Sequence, residues 1–324
     1  MFIKANDPRI RYTGRWNVTE ESAASSANGN YMEFAFRGDT AVVAMDVSKC
    51  QNPPPHLFIS VDNGARVEVP ADAFVRVSTE PGEHTVKVIM KSSVESQTRW
   101  CEPIEAMVRI TALEADAFTD LPEDNRKIIE FLGDSITEGI SIDNDGRYVY
   151  WKDNRDMVYF DDSTAGYAWL TAEALDMRPI IVGYGCLGST HGGAGGVPKA
   201  ADAYPFYSDQ CPVKDFSADY IVINYGTNDR MADMDILRNE YTNLLKVIRE
   251  YNPKAQLISV SPFCGRLAEE LEEIVNAYNT ANNDTVFFIN AGGWISPEPL
   301  HPTREGNRIV SRNLSAILKK QFSL

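Results

Sequence analysis

The hydrophobic period changes once along these 324 residues, near residue 120, and that change fixes the architecture. Up to residue 118, apolar and polar side chains alternate in short runs. They are Tyr31-Met32-Glu33-Phe34-Ala35-Phe36, residues 41–45, His56-Leu57-Phe58-Ile59-Ser60-Val61, and residues 74–77, 84–90 and 106–113. A period of two marks strands with one buried face. The gaps hold Gly38-Asp39, Asp62-Asn63-Gly64 and Pro81-Gly82-Glu83, residue types that suit tight turns. An all-β sandwich or jelly roll is therefore expected over residues 1–122. The polar, proline-bearing stretch at residues 119–125 reads as a linker.

From Lys127 onward the pattern becomes strand, helix, strand. Strands are predicted at 127–132, 179–183, 219–224, 256–260 and 286–290. Helical spacing is clearest at Ile236-Leu237, Tyr241, Leu244-Leu245 and Val247-Ile248, and again at Leu267, Leu271, Ile274-Val275 and Tyr278. Repeated βα units imply a parallel, three-layer α/β domain over residues 123–324. Ligands of such sheets bind beyond the carboxyl ends of the strands.

A formal net charge of −15 repels phosphate backbones and anionic lipid heads, which argues against nucleic-acid or membrane partners and for a neutral substrate. The first residues lack a basic segment followed by an apolar one, and no stretch is long and apolar enough to span a bilayer, so a cytoplasmic protein is expected. The five cysteines, Cys50, Cys101, Cys186, Cys211 and Cys264, lack CxxC spacing and read as free thiols, with a Cys50–Cys101 bridge as the alternative.

The predicted strand ends carry the chemistry. After the first comes Gly133-Asp134-Ser135-Ile136-Thr137-Glu138-Gly139, a sharp strand-to-helix turn that lifts the Ser135 hydroxyl beside backbone N–H groups and a helix start. Tyr184 to Thr190, with Gly185 and Gly188, follows the second, and Asn224-Tyr225-Gly226-Thr227-Asn228-Asp229 follows the third. Glu298-Pro299-Leu300-His301 precedes the last helix. A serine needs a base. Of the four histidines, His56 and His84 lie in the β region, and His191 sits in a glycine-rich loop with nothing near it in sequence to orient it. His301 has Glu298 three residues before it, a carboxylate suited to fixing its tautomer. The Ser135 and Gly188 N–H groups and the Asn228 amide are the natural oxyanion donors. Asp134 and Asp229 read as turn-shaping residues, and Cys186 as a small core residue.

Taken in order, Gly133-Asp134-Ser135, Gly188, Gly226-Thr227-Asn228-Asp229 and His301 resemble the four blocks of the SGNH (GDSL-type) hydrolase superfamily. The resemblance implies a flavodoxin-like sheet, Ser135 as nucleophile, His301 as base, an oxyanion hole from Ser135, Gly188 and Asn228, and no metal or other cofactor. A β domain containing Ile10-Arg11-Tyr12-Thr13-Gly14-Arg15-Trp16, joined directly to such a hydrolase, resembles the family-two carbohydrate esterases, which remove O-acetyl groups from plant polysaccharides. The superfamily usually has Asp-x-x-His in its last block. Here Glu298 replaces that aspartate, and some family-two relatives use a Ser–His dyad supported by a backbone carbonyl.

The aromatic stretch around Arg147 to Lys152, with Tyr159 and Phe160, reads either as a packed surface loop or as a sugar platform containing Trp151. Trp294 and Tyr225 are further candidate substrate walls. The leading expectation is an acetylesterase acting on short acetylated xylo- or manno-oligosaccharides. The alternatives are a lipase, lysophospholipase or thioesterase, disfavoured by polar residues 143–147, 152–156 and 161–163, and a glycan-binding protein without catalysis.

Overall fold

The structure is a computed structural model describing residues 1–143 and 157–324. The N-terminal part is antiparallel. Its strands are β1 (Phe2–Lys4), β2 (Arg11–Thr13), β3 (Asn17–Val18), β4 (Ala23–Ser25), β5 (Tyr31–Met45), β6 (His56–Val61), β7 (Val67–Pro70), β8 (Phe74–Ser92) and β9 (Val108–Thr119). They pair in the order β3-β4-β9-β5-β8-β6-β7, with β1 added to β9 and β2 to β5. Their inner side chains, among them Phe34, Phe36, Val43, Leu57, Val88 and Leu113, form one apolar cluster.

Asp62-Asn63-Gly64 makes the expected turn between β6 and β7, with Asp62 and Asn63 both at positive φ. The other two turn signals do not reverse the chain. Residues 31–36 and 41–45 belong to the single strand β5, and residues 74–77 and 84–90 to β8. Gly38 and Gly82 are partners across that pair, and the register then jumps to Thr40 and Ser78. Glycine, proline and acidic residues serve a bulge here, which needs the same irregular backbone as a turn.

The second part begins at β10 (Ile128–Gly133). Helices α1 (Ser135–Glu138), α2 (Met157–Phe160) and α3 (Tyr167–Ala174) lead to β11 (Arg178–Gly183). Next come α4 (Ala200–Ala203), the hairpin β12 (Phe206–Ser208) and β13 (Cys211–Pro212), β14 (Tyr220–Asn224) and α5 (Met234–Tyr251). The chain closes with β15 (Gln256–Val260), α6 (Ala268–Asn282), β16 (Phe287–Ile289) and α7 (Arg304–Phe322). The sheet order is β11-β10-β14-β15-β16, all parallel. Numbered within the sheet this is 2-1-3-4-5, the flavodoxin-like order, whose switch point lies between its first and third strands.

Strict alternation along the buried strands feeds two layers. Ile129, Phe131 and Val222 pack with Tyr167, Ala168 and Leu314 of α3 and α7. Leu132, Ile221 and Ile223 pack with Leu237, Leu244 and Leu271 of α5 and α6. The N-terminal part joins both layers: Tyr31 and Ile89 of its sheet belong to the first cluster, and Ala27 and Trp100 of its loops to the second. All five cysteines are free. Among the described residues no helix is long and apolar enough to cross a membrane.

Candidate active site

The carboxyl ends of β10 and β14 lie side by side at the switch point, with Gly133 registered on Asn224 and on Gly183 of β11. Helix α1 starts one residue after β10 ends. Asp134 caps it, its Oδ1 accepting the Ile136 N–H at 2.9 Å. Gly133 is required because a Cβ there would lie 2.0 Å from Thr137 Oγ1. The turn leaves Ser135 8% exposed at the head of the helix, its own N–H without a partner among the described residues.

His301 arrives from the loop before α7, and its Nε2 is 2.8 Å from Ser135 Oγ. Burial lowers its pKa, favouring the neutral imidazole a base requires. Its loop is fixed by residues that the four sequence blocks do not contain. Buried Asn307 accepts the Tyr167 N–H at 2.8 Å and donates to Pro302 O at 2.8 Å. Arg304 pairs with Asp143 and, at 3.0 Å, with Asp162. Arg304 and Asn307 sit three and six residues past His301, and that position at the helix start is the signal that could have found them.

The structure does not bring Glu298 to the imidazole. It lies in the exposed run of residues 296–299, its backbone N–H donating to Ser296 Oγ at 3.3 Å, and its carboxylate makes no hydrogen bond to His301. Spacing put Glu298 three residues before His301, but the segment is an irregular run of bends rather than helix, and Glu298 is exposed. Nδ1 of His301 has no hydrogen-bond partner among the described residues.

Two of the three expected oxyanion donors are engaged. The Gly188 N–H donates to His191 O at 3.2 Å. The Asn228 amide donates to Leu187 O at 3.1 Å and to Asp134 Oδ2 at 3.3 Å. These bonds lie at the long end of the usual range, and burial raises the Asp134 pKa to about 7. Asp229 does more than shape its own turn. Its carboxylate accepts the Ser189 N–H at 3.0 Å, the Thr190 N–H at 2.8 Å and the Thr190 hydroxyl at 2.6 Å, stapling the glycine loop to the end of β14.

His191 is oriented after all. Nδ1 faces Gly192 O at 2.9 Å and Nε2 faces Asn228 O at 3.2 Å. Burial pulls its pKa down, yet the two carbonyls and the Asp229 charge outweigh it and the net shift is upward, favouring the protonated ring. Cys186 is not a core residue. It is exposed at φ 58°, and burial of the sulfur with the nearby Glu95 charge lifts its thiol to about 11, which disfavours thiolate chemistry.

Of the candidate substrate walls, Tyr225 is buried at 3% exposure within the α5/α6 layer, which removes it from any substrate surface. Trp294 is half-buried and stacks on Phe263, ring centroids 6.4 Å apart. Trp151 and its aromatic neighbours at 147–152 lie outside the described residues. Tyr159 meets His56 of β6 edge-on at 4.8 Å, so it packs toward the antiparallel sheet.

Residues 131–309 match the model of the GDSL-like lipase/acylhydrolase family. No curated protein matches the sequence. Among solved structures, a family two carbohydrate esterase from Cellvibrio japonicus is 22% identical with a TM-score of 0.82, the alignment covering 99% of this chain and 97% of that one. An acetyl xylan esterase from the rumen bacterium Butyrivibrio proteoclasticus is 17% identical with a TM-score of 0.82, covering 100% and 98%. A family two carbohydrate esterase from Clostridium thermocellum, solved with cellohexaose, is 20% identical with a TM-score of 0.77, covering 97% and 99%. At these identities the likeness establishes a shared two-part fold. The family match spans more than half of the sequence, and the chain belongs to the GDSL-like lipase/acylhydrolase family and is a carboxylic ester hydrolase.

Proposed function

We propose that this hydrolase removes O-acetyl groups from carbohydrates by acyl transfer through Ser135 and His301. The observation that carries the reading is the 2.8 Å approach of His301 Nε2 to Ser135 Oγ, with burial lowering the imidazole pKa. In the first half-reaction Ser135 Oγ attacks the acetyl carbonyl as Nε2 takes its proton. The tetrahedral oxyanion is received by the unpartnered Ser135 N–H, and by Gly188 and Asn228 once their long internal bonds yield to a stronger, charged acceptor. Collapse breaks the bond to the sugar oxygen, which leaves with the proton from His301. Water then attacks the acetyl-serine, His301 accepts and returns a proton, and acetate departs.

In this reading His301 works in a dyad. Glu298 has no contact with it, and neutral imidazole is favoured by burial alone. A carbohydrate substrate is supported by the full-length likeness to family two carbohydrate esterases, one solved with cellohexaose. It is supported too by the polar surroundings of the His301 loop, where Asp143 and Asp162 gather on Arg304.

The test is acetate release from acetylated xylo- and manno-oligosaccharides, with p-nitrophenyl acetate and octanoate alongside, for wild type and Ser135→Ala. Acetate release abolished in Ser135→Ala, with poor octanoate turnover, is the expected result. Preference for octanoate would move the enzyme to lipid or thioester substrates. Absence of any ester turnover would leave a glycan-binding protein.

A further inference from the structure

We propose that a buried polar node centred on Glu138, built by Asn28 and Arg99 of the antiparallel domain, positions Ser135 against the Gly188 loop. Glu138 is the last residue of α1, three places after the nucleophile, and is 1% exposed. Its Oε1 accepts from the Arg99 guanidinium and from Asn28 Nδ2 at 2.8 Å. Both donors are fully buried and both come from the N-terminal part of the chain. Ser93 ties them together, its hydroxyl donating to Asn28 Oδ1 at 3.1 Å and its carbonyl accepting from Arg99 Nη2 at 3.2 Å.

The same segment also grips the oxyanion loop. The Arg99 N–H donates to Gly195 O at 2.9 Å, and the Ala194 N–H returns to Gly185 O at 2.8 Å, closing the loop that contains Gly188. Gly195 must lack a side chain, since a Cβ there would lie 2.6 Å from Gln97 O. One stretch of the antiparallel domain therefore touches the nucleophile helix through Glu138 and the oxyanion loop through Gly195. Ser135 lies on the first of these elements and Gly188 on the second.

Stability does not account for such a node. Among the described residues Arg99 Nε is buried without a partner, and burial raises the Glu138 pKa to about 7 despite the guanidinium beside it. Buried ion pairs are commonly replaceable by apolar residues at no loss of stability. What an apolar replacement cannot reproduce is the directional tie between three segments. A displacement of about 1 Å at a catalytic group costs on the order of 10²-fold in rate.

The inference rests on Ser135 being the nucleophile, so the experiment includes Ser135→Ala. The paired replacement Arg99→Met/Glu138→Met, Arg99→Lys and Asn28→Ala are compared with wild type for kcat and KM on p-nitrophenyl acetate. Rates are normalised to the folded fraction by far-UV circular dichroism and thermal melting. The expected result is a fall of about 10²-fold in kcat for the paired variant with KM little changed, partial recovery in Arg99→Lys, and about a 10-fold fall in Asn28→Ala. Should the paired variant fail to fold, Asn28→Ala and Arg99→Lys decide the matter. Wild-type kcat per folded molecule in these variants, with Ser135→Ala inactive, overturns the positioning role alone. Turnover surviving in Ser135→Ala overturns the reading beneath it.

Discussion

Burial holds the His301 pKa below that of an exposed imidazole, so the base becomes neutral at lower pH than usual. The protonated ring cannot take the Ser135 proton, so kcat/KM should climb as pH rises through the lowered pKa and level off above it. A pH profile checks this: an inflection below about 6.5 is expected, and one above 7 would contradict the dry setting of His301. Glu298 lies in water away from the ring, so Glu298→Gln should leave kcat/KM within about twofold, whereas losing the orienting carboxylate of a working triad costs about 10⁴-fold. Asn228→Ala should lower kcat by about 10² to 10³-fold if its amide turns from Leu187 O to the oxyanion. At this scale the sequence made the meeting of Ser135 and His301 legible, because strand ends and residue types converge on one face. It could not make the direction of the Glu298 side chain legible, because three residues of spacing imply contact only on a helix, and this segment is an irregular run of bends.

Strand and helix positions in the parallel sheet follow from runs such as Ile180 to Val182 and Tyr220 to Ile223, which are apolar on both faces because helices cover both. The predicted strand limits differ from the observed ones by one residue at most. The antiparallel sheet was less legible, since Gly38 and Gly82 carry the same chemistry in a bulge as in a hairpin. Tight packing at the nucleophile turn gives a test at this level. A Cβ on Gly183 would lie 2.5 Å from the Glu138 N and 2.9 Å from its Cα, both backbone atoms of α1. Gly183→Ala must push α1 away from β11, so it should cost about 1 to 3 kcal/mol in urea unfolding and lower kcat in the molecules that remain folded. An unchanged urea midpoint would show that the strand and helix can part without penalty.

Across the whole molecule, patterning shows which face of a strand is buried within its own sheet, but not that the opposite face meets another domain. Tyr31 and Ile89 read as ordinary strand residues, yet they pack into the layer of Phe131, Tyr167 and Ile181, and Tyr31 meets Trp169 edge-on at 5.6 Å. A polar tie reinforces the seam at the amino ends of the parallel strands. Buried Arg15 donates to Glu130 Oε1 at 2.7 and 3.0 Å and to Tyr204 O at 3.0 Å, its guanidinium 4.7 Å from the Tyr204 ring. Tyr204 in turn donates to Glu130 Oε2 at 2.9 Å. With apolar layers and a buried charge pair crossing the seam, neither part can lose its structure without exposing the other's core. Urea unfolding should therefore be one transition, followed alike by far-UV circular dichroism and by the fluorescence of tryptophans on both sides, Trp16 and Trp169 among them. Arg15→Ala strands the Glu130 carboxylate in the interior and should cost about 3 to 5 kcal/mol, moving both signals together. Two separate transitions in the wild-type protein would mean that the seam is weaker than either core, and that the antiparallel domain could not hold the nucleophile turn in register.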